Sequence, residues 1–149
     1  MWFPHTLKVI EKIEKIQNRF LRYVYFKDFE YYPDPENIPY SEILAGYEIE
    51  SLRKRREKTA VMFLYDLLHG NINDEKLLIE INIWAPKIQS RYKKYFSLKK
   101  YRTTKMEFSP LNNIMKTTND FLTECTCADM YSMPRSTFKR LVEGWGAVG

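Results

Sequence analysis

Residues Ser51 to Gly70 read SLRKRREKTAVMFLYDLLHG, and their spacing decides the fold. Leu52, Arg56, Thr59, Ala60, Phe63, Leu64, Leu67 and Leu68 recur at steps of three and four. That period gathers side chains into one stripe on an α-helix, and the stripe should dock on the core. Ser51 can accept a hydrogen bond from an unpaired first-turn amide. Gly70 suits the positive φ common just past a helix end. The first turn is unusual. Arg53, Lys54, Arg55 and Arg56 crowd the end where the helix dipole is already positive, which costs roughly 0.3–1 kcal/mol per exposed charge. Something negative must offset them, either acids of the same chain (Glu42, Glu48 or Glu50) or phosphate. Arg56 lies on the buried stripe and should find an internal partner; Arg53, Lys54 and Arg55 are freer.

Upstream, Pro4 or Thr6 can open a helix running to about Tyr25, with Leu7, Ile10, Ile13, Ile16, Phe20 and Val24 as its buried stripe. Glu11 with Lys15, and Glu14 with Lys8 or Lys12, fall on its solvent faces as charge pairs. Tyr31-Tyr32-Pro33-Asp34-Pro35 and Ile38-Pro39 predict a loop. Tyr40 to Ala45 predicts a short helix headed by Pro39 and followed by Gly46.

Downstream of Gly70, Asn73 or Asp74 can cap a short helix through Leu77, Leu78 and Ile81, and Trp84-Ala85-Pro86 ends it. Lys87 to Lys105 has no clean period and reads as loop, with an extended piece at Tyr95–Tyr101. Ser109-Pro110 predicts a helix start with a capping hydroxyl, and Leu111, Ile114, Met115, Thr118, Phe121 and Leu122 supply the stripe. A last helix spans Ser136 to Glu143, packing Phe138, Leu141 and Val142. The expected fold is all-α: an irregular bundle of about five to six helices with a basic loop region between residues 87 and 108. By length, residues 1–143 form a single helical domain, and 144–149 a loose tail.

Composition narrows the function. The chain has 149 residues, a net charge of +5, eleven Tyr and nine Phe. The charge comes in blocks: residues 28–50 carry seven acids and no Lys or Arg, whereas residues 87–105 carry eight basic groups and no acid. Block patterning of this kind leaves basic surface over after partial self-neutralisation. No apolar run is long enough to span a bilayer, and the N-terminus lacks the order of a signal peptide. Cys125 and Cys127 are too close for an easy bridge and have no His beside them, so reduced thiols and an intracellular location, nuclear or cytoplasmic, are expected.

No phosphate loop, GxGxxG, GxSxG or HExxH occurs, and neither His5 nor His69 has metal-ligand spacing. Neither a catalytic residue nor a cofactor or metal is expected. The basic block, by contrast, interleaves cations with aromatics. Lys93, Lys94, Lys99, Lys100 and Arg102 are the first candidates for phosphate contact, with Arg53, Lys54 and Arg55 second. Tyr92, Tyr95 and Tyr101 are candidates for stacking on unpaired bases. The rival reading is a solvated basic loop whose aromatics anchor the core.

The chain also carries an ordered series of motifs. These are Trp2-Phe3-Pro4, IEKIQNRFLR at Ile13–Arg22, YSEIL at Tyr40–Leu44, and IESLRKRR at Ile49–Arg56. FLYDLLHGNIN at Phe63–Asn73 follows, then Leu77, Leu78 and Ile81, Arg102-Thr103, SPLNNIM at Ser109–Met115, and Asn119. In order and spacing, over nearly the whole chain, the series resembles the region near the C-terminal end of reverse transcriptases of non-LTR retrotransposons, the LINE-like and jockey-like elements. The resemblance implies a helical region downstream of the polymerase palm and thumb, with RNA or DNA and the rest of a reverse transcriptase as partners and no membrane. The family's Ala-Asp-Asp polymerase turn and its endonuclease are missing from this sequence, so no catalytic residue carries over. Met1 falls where the family has an interior residue, which implies a fragment of a larger protein. The alternative is a structural or protein-interaction helical module that makes no nucleic-acid contact.

Overall fold

A computed structural model describes residues 6–28, 38–85, 95–100, 102–103 and 107–146. Among these residues the chain is mostly helical. It has six helices: α1 (Leu7–Asp28), α2 (Tyr40–Gly46), α3 (Leu52–Leu68), α4 (Glu75–Glu80), α5 (Pro110–Glu124) and α6 (Arg135–Gly144). The described residues hold no strand, only an isolated antiparallel bridge between Ile83 and Phe96. The all-α class read from the sequence is therefore the fold. Contacts divide the chain into two compact units, Pro4–Arg56 and Glu57–Gly149 with Met1–Phe3, and the division falls inside α3.

In the first unit, the start of α3 meets a carboxylate of α1. Ser51 Oγ accepts from the Lys54 amide at 3.3 Å, as its residue type predicts. The adjacent Arg53 amide donates to Glu14 Oε1 of α1 at 2.8 Å. Glu14 was expected on a solvent face beside Lys8 or Lys12; instead its carboxylate lies on the positive end of α3, where anions are favoured. Its other oxygen accepts from the Tyr40 hydroxyl at 3.3 Å, and burial, then the Glu14 charge, raises the Tyr40 pKa. Gln17 joins the same cluster. Its amide nitrogen donates to Tyr40 Oη at 3.0 Å and to the Glu50 carbonyl at 3.3 Å, while its oxygen accepts from the Arg55 guanidinium. Arg56, expected to be paired, makes no ion pair among the described residues.

Half of the stripe predicted for α1 is uncovered, and Ile10, Ile13 and Val24 are half-buried. Leu7, Ile16 and Phe20 are 71%, 69% and 63% exposed, and Leu21, off that stripe, is the buried residue of α1. The periodicity orients the helix but supplies no partner for its apolar face. α2 begins after Pro39 as expected and buries Ile43. The turn beyond it places Glu48 at φ 53°, a left-handed conformation unusual for a side chain of this size.

The second unit holds the main core. Ala60, Val61, Leu64 and Tyr65 of α3 pack with Ile114, Met115, Phe121 and Leu122 of α5, Phe138 and Val142 of α6, and Phe96, Ala128, Met130 and Trp145. On α3 the buried face is rotated from the predicted stripe: Thr59 is exposed, whereas Val61 and Tyr65 are inside. Tyr65 can enter because its hydroxyl donates to the Met133 carbonyl at 2.7 Å. Gly70 adopts φ 71°, as expected of a residue ending the helix. Asp74 caps α4, accepting from the Leu77 amide at 3.1 Å.

Two corrections concern the C-terminal half. Ser109 precedes α5 with Pro110 in the first turn, but its hydroxyl makes no capping bond. Asn112 and Asn113 reach back instead, donating to the Glu107 and Phe108 carbonyls at 2.7 and 3.2 Å. Trp145, expected in a loose tail, is 7% exposed. It meets Phe121 edge-on and donates from Nε1 to Glu124 Oε2 at 2.6 Å, giving the indole both an apolar seat and a partner for its N–H.

Candidate nucleic-acid interface

The candidate interface is built in the second unit, where α5 meets the segment carrying Lys99 and Lys100. Residues 82–84 and 95–97 pair in antiparallel fashion: the Trp84 amide donates to the Tyr95 carbonyl at 2.9 Å, and the Ser97 amide to the Asn82 carbonyl at 2.8 Å. Phe96 drives the anchoring, with its ring fully buried in the core. Burying that ring also buries backbone, whose polar groups need partners. Asn119 of α5 supplies them. Its Oδ1 accepts from the Tyr95 and Phe96 amides at 3.1 and 3.0 Å, and its Nδ2 donates to the Phe96 carbonyl at 2.9 Å.

This clamp leaves the residues just beyond Phe96 on the surface. Lys99 and Lys100 are exposed, and with Lys116 of α5 they line a cleft of about 900 Å³. Trp84 and Phe108, 46% and 37% exposed, add aromatic surface to it. The wall along α5 is a polar stripe at helical spacing, Asn112, Lys116, Asn119 and Asp120. Among the described residues none of the three lysines has an ion pair or hydrogen-bond partner, although Glu107 and Asp120 also line the cleft. Three ammonium groups without partners among the described residues, beside the exposed Trp84 ring, can neutralise phosphates and stack against planar groups.

The remaining candidates fall elsewhere. Arg102 is exposed but does not line the cleft. Tyr95 is half-buried and packed against the core, which makes it an anchor rather than a free stacking face. Tyr92, Lys93, Lys94 and Tyr101 lie outside the described residues. Arg53 and Arg55 are exposed and Lys54 half-buried, all in the first unit, with Arg55 held by Gln17. Lys116, Trp84 and Phe108 were missed by sequence reasoning. Lys116 stands alone among neutral residues, and the signal that could have found it is the polar stripe on α5.

Comparison with known protein families, curated proteins and solved structures finds no match.

Other chemistry is sparse. Among the described residues no group of three or more His, Cys, Asp or Glu side chains could hold a metal ion. His69 stacks on Tyr65, ring centroids 4.0 Å apart, and its Nδ1 lies 2.9 Å from the Tyr65 carbonyl oxygen. Cys125 and Cys127 form no disulfide. No helix of the described residues is long and apolar enough to cross a membrane.

Proposed function

We propose that this chain is a non-catalytic helical accessory region of a retroelement reverse transcriptase that holds single-stranded RNA or DNA by sequence-independent phosphate contacts. The observation that carries the nucleic-acid reading is the cleft where Lys99, Lys100 and Lys116, all without carboxylate partners among the described residues, converge beside exposed Trp84. A lysine already paired gains little from a phosphate, because one partner is exchanged for another; an unpaired one releases counterions when it meets the polymer. The reverse-transcriptase part is supported by the ordered motif series, and α3 and α5 use several of its members structurally, Asn119 above all.

The test is a binding titration of the full chain with single-stranded RNA, single-stranded DNA and duplex at two salt concentrations. With about four phosphates engaged, log affinity falls against log salt with a slope near −3. A flat salt dependence for all three polymers would falsify the reading.

A second reading, a protein-docking module, is favoured by one observation, the uncovered Ile16, Phe20 and Tyr23 on α1, 60–69% exposed. Under that reading the chain ignores all three polymers at either salt, and Phe20→Ser reduces its binding of an apolar dye.

A further inference from the structure

We propose that the cleft lodges one unpaired nucleobase, stacked on Trp84, from a strand whose phosphates lie along Lys99, Lys100 and Lys116. The inference rests on the nucleic-acid reading above and deepens it, from contact with the backbone alone to contact with a base.

Phosphate contact by itself explains the lysines but none of the other walls. Trp84 is an apolar indole left nearly half exposed, on backbone fixed by its hydrogen bond to Tyr95. Its open ring offers a flat apolar face on which a planar group can stack. Asn112 is the second sign. It is 7% exposed and lines the cleft, and its Nδ2 is spent on the Glu107 carbonyl at 2.7 Å. Only the amide NH₂ can satisfy that carbonyl, so the orientation of the side chain is fixed. Its Oδ1 is then buried in the wall with no donor among the described residues. Buried acceptors without donors are rare in folded proteins and ask for an explanation.

A nucleotide combines what these walls ask for: negative charge for the ammonium groups, a flat ring for the indole, and N–H donors at the base edge for an acceptor. An acidic peptide has the charge but no ring of this kind. The volume, about 900 Å³, falls within the roughly 300–1,000 Å³ of sites that enclose small organic ligands. Glu107 and Asp120 on the same walls oppose a second phosphate but accept from base amino groups.

The experiment compares two fluorescent strands on the full chain at two salt concentrations: a short oligothymidylate and an abasic strand of the same length and charge. The expected result is tighter binding of oligothymidylate by about tenfold, with the same salt slope for both strands. Trp84→Ala should bring oligothymidylate down to the abasic level, and Trp84→Phe should keep most of the preference. Equal binding of the two strands by the wild-type protein, with a steep salt slope, overturns the base site and leaves phosphate contact standing. A preference that survives Trp84→Ala in a protein of unchanged helix content also overturns it. Failure of both strands to bind, with single-stranded RNA also unbound in the titration above, sinks the nucleic-acid reading itself. Should Trp84→Ala unfold the chain, the wild-type comparison and Trp84→Phe still decide.

Discussion

Asn119 shows how much one side chain can hold. Three hydrogen bonds run from its amide to the backbone of Tyr95 and Phe96, on either side of a fully buried ring. Asn119→Ala removes all three and strands buried N–H and C=O groups, so unfolding in urea should show a loss of about 2–4 kcal/mol. Asn119→Asp keeps an acceptor for the two amides but sets a carboxylate against the Phe96 carbonyl, and should rescue only part of that loss. Glu48 acts in the opposite direction. At φ 53° its side chain works against the backbone, so Glu48→Gly should raise stability by about 0.5–1 kcal/mol in a thermal melt. Neither residue was legible as a structural determinant. Asn119 entered only as one of a motif series, because a polar side chain on a helix reads as solvated unless the segment it clamps is known. Asn112 too entered only within a motif, and Lys116 escaped for the same reason.

At the scale of elements, α5 was legible in both extent and buried face, and α1 in extent but not in buried face. Ile114, Met115, Thr118, Phe121 and Leu122 repeat at helical spacing and are all buried. The same kind of pattern on α1 left Ile16 and Phe20 exposed, because amphipathic spacing states which face prefers burial, not whether a partner exists. The start of α3 was half legible. Its excess of cations called for a counter-charge, and Ser51 was a visible cap, but Glu14, distant in sequence, resembled an ordinary surface acid. Glu14→Gln should lower stability by about 0.5–1 kcal/mol, seen as a drop in melting temperature that shrinks with added salt. The end of α3 and the start of α6 are tied by Asp66 and Arg135, which meet through two hydrogen bonds at 2.6 and 2.9 Å. Arg135 first, then Asn71, holds the Asp66 carboxyl below the usual carboxylate range. A depressed folded-state pKa means that the stabilisation is present above the unfolded-state pKa of about 3.9 and is lost as pH falls through the folded value. Arg135→Ala should therefore be less stable than wild type at neutral pH, with the gap closing in denaturation curves taken below about pH 3.9.

For the whole molecule, the charge blocks in the sequence pointed to basic surface, and the structure adds where part of it converges. Lys99 and Lys100 were read from the sequence, and α5 brings Lys116 to them across a cleft also lined by Trp84 and Phe108. That meeting joins residues distant along the chain through the Asn119 clamp, which no local pattern announces. The central claim is that these three lysines grip a polyanion. It is tested most directly by the salt dependence of single-strand binding in wild type and in the triple variant Lys99→Ala, Lys100→Ala, Lys116→Ala. Each phosphate contact contributes about 0.7–0.9 to the steepness of log affinity against log salt, so the account predicts a slope shallower by about 2 in the variant. An unchanged slope in a variant of unchanged helix content would contradict it.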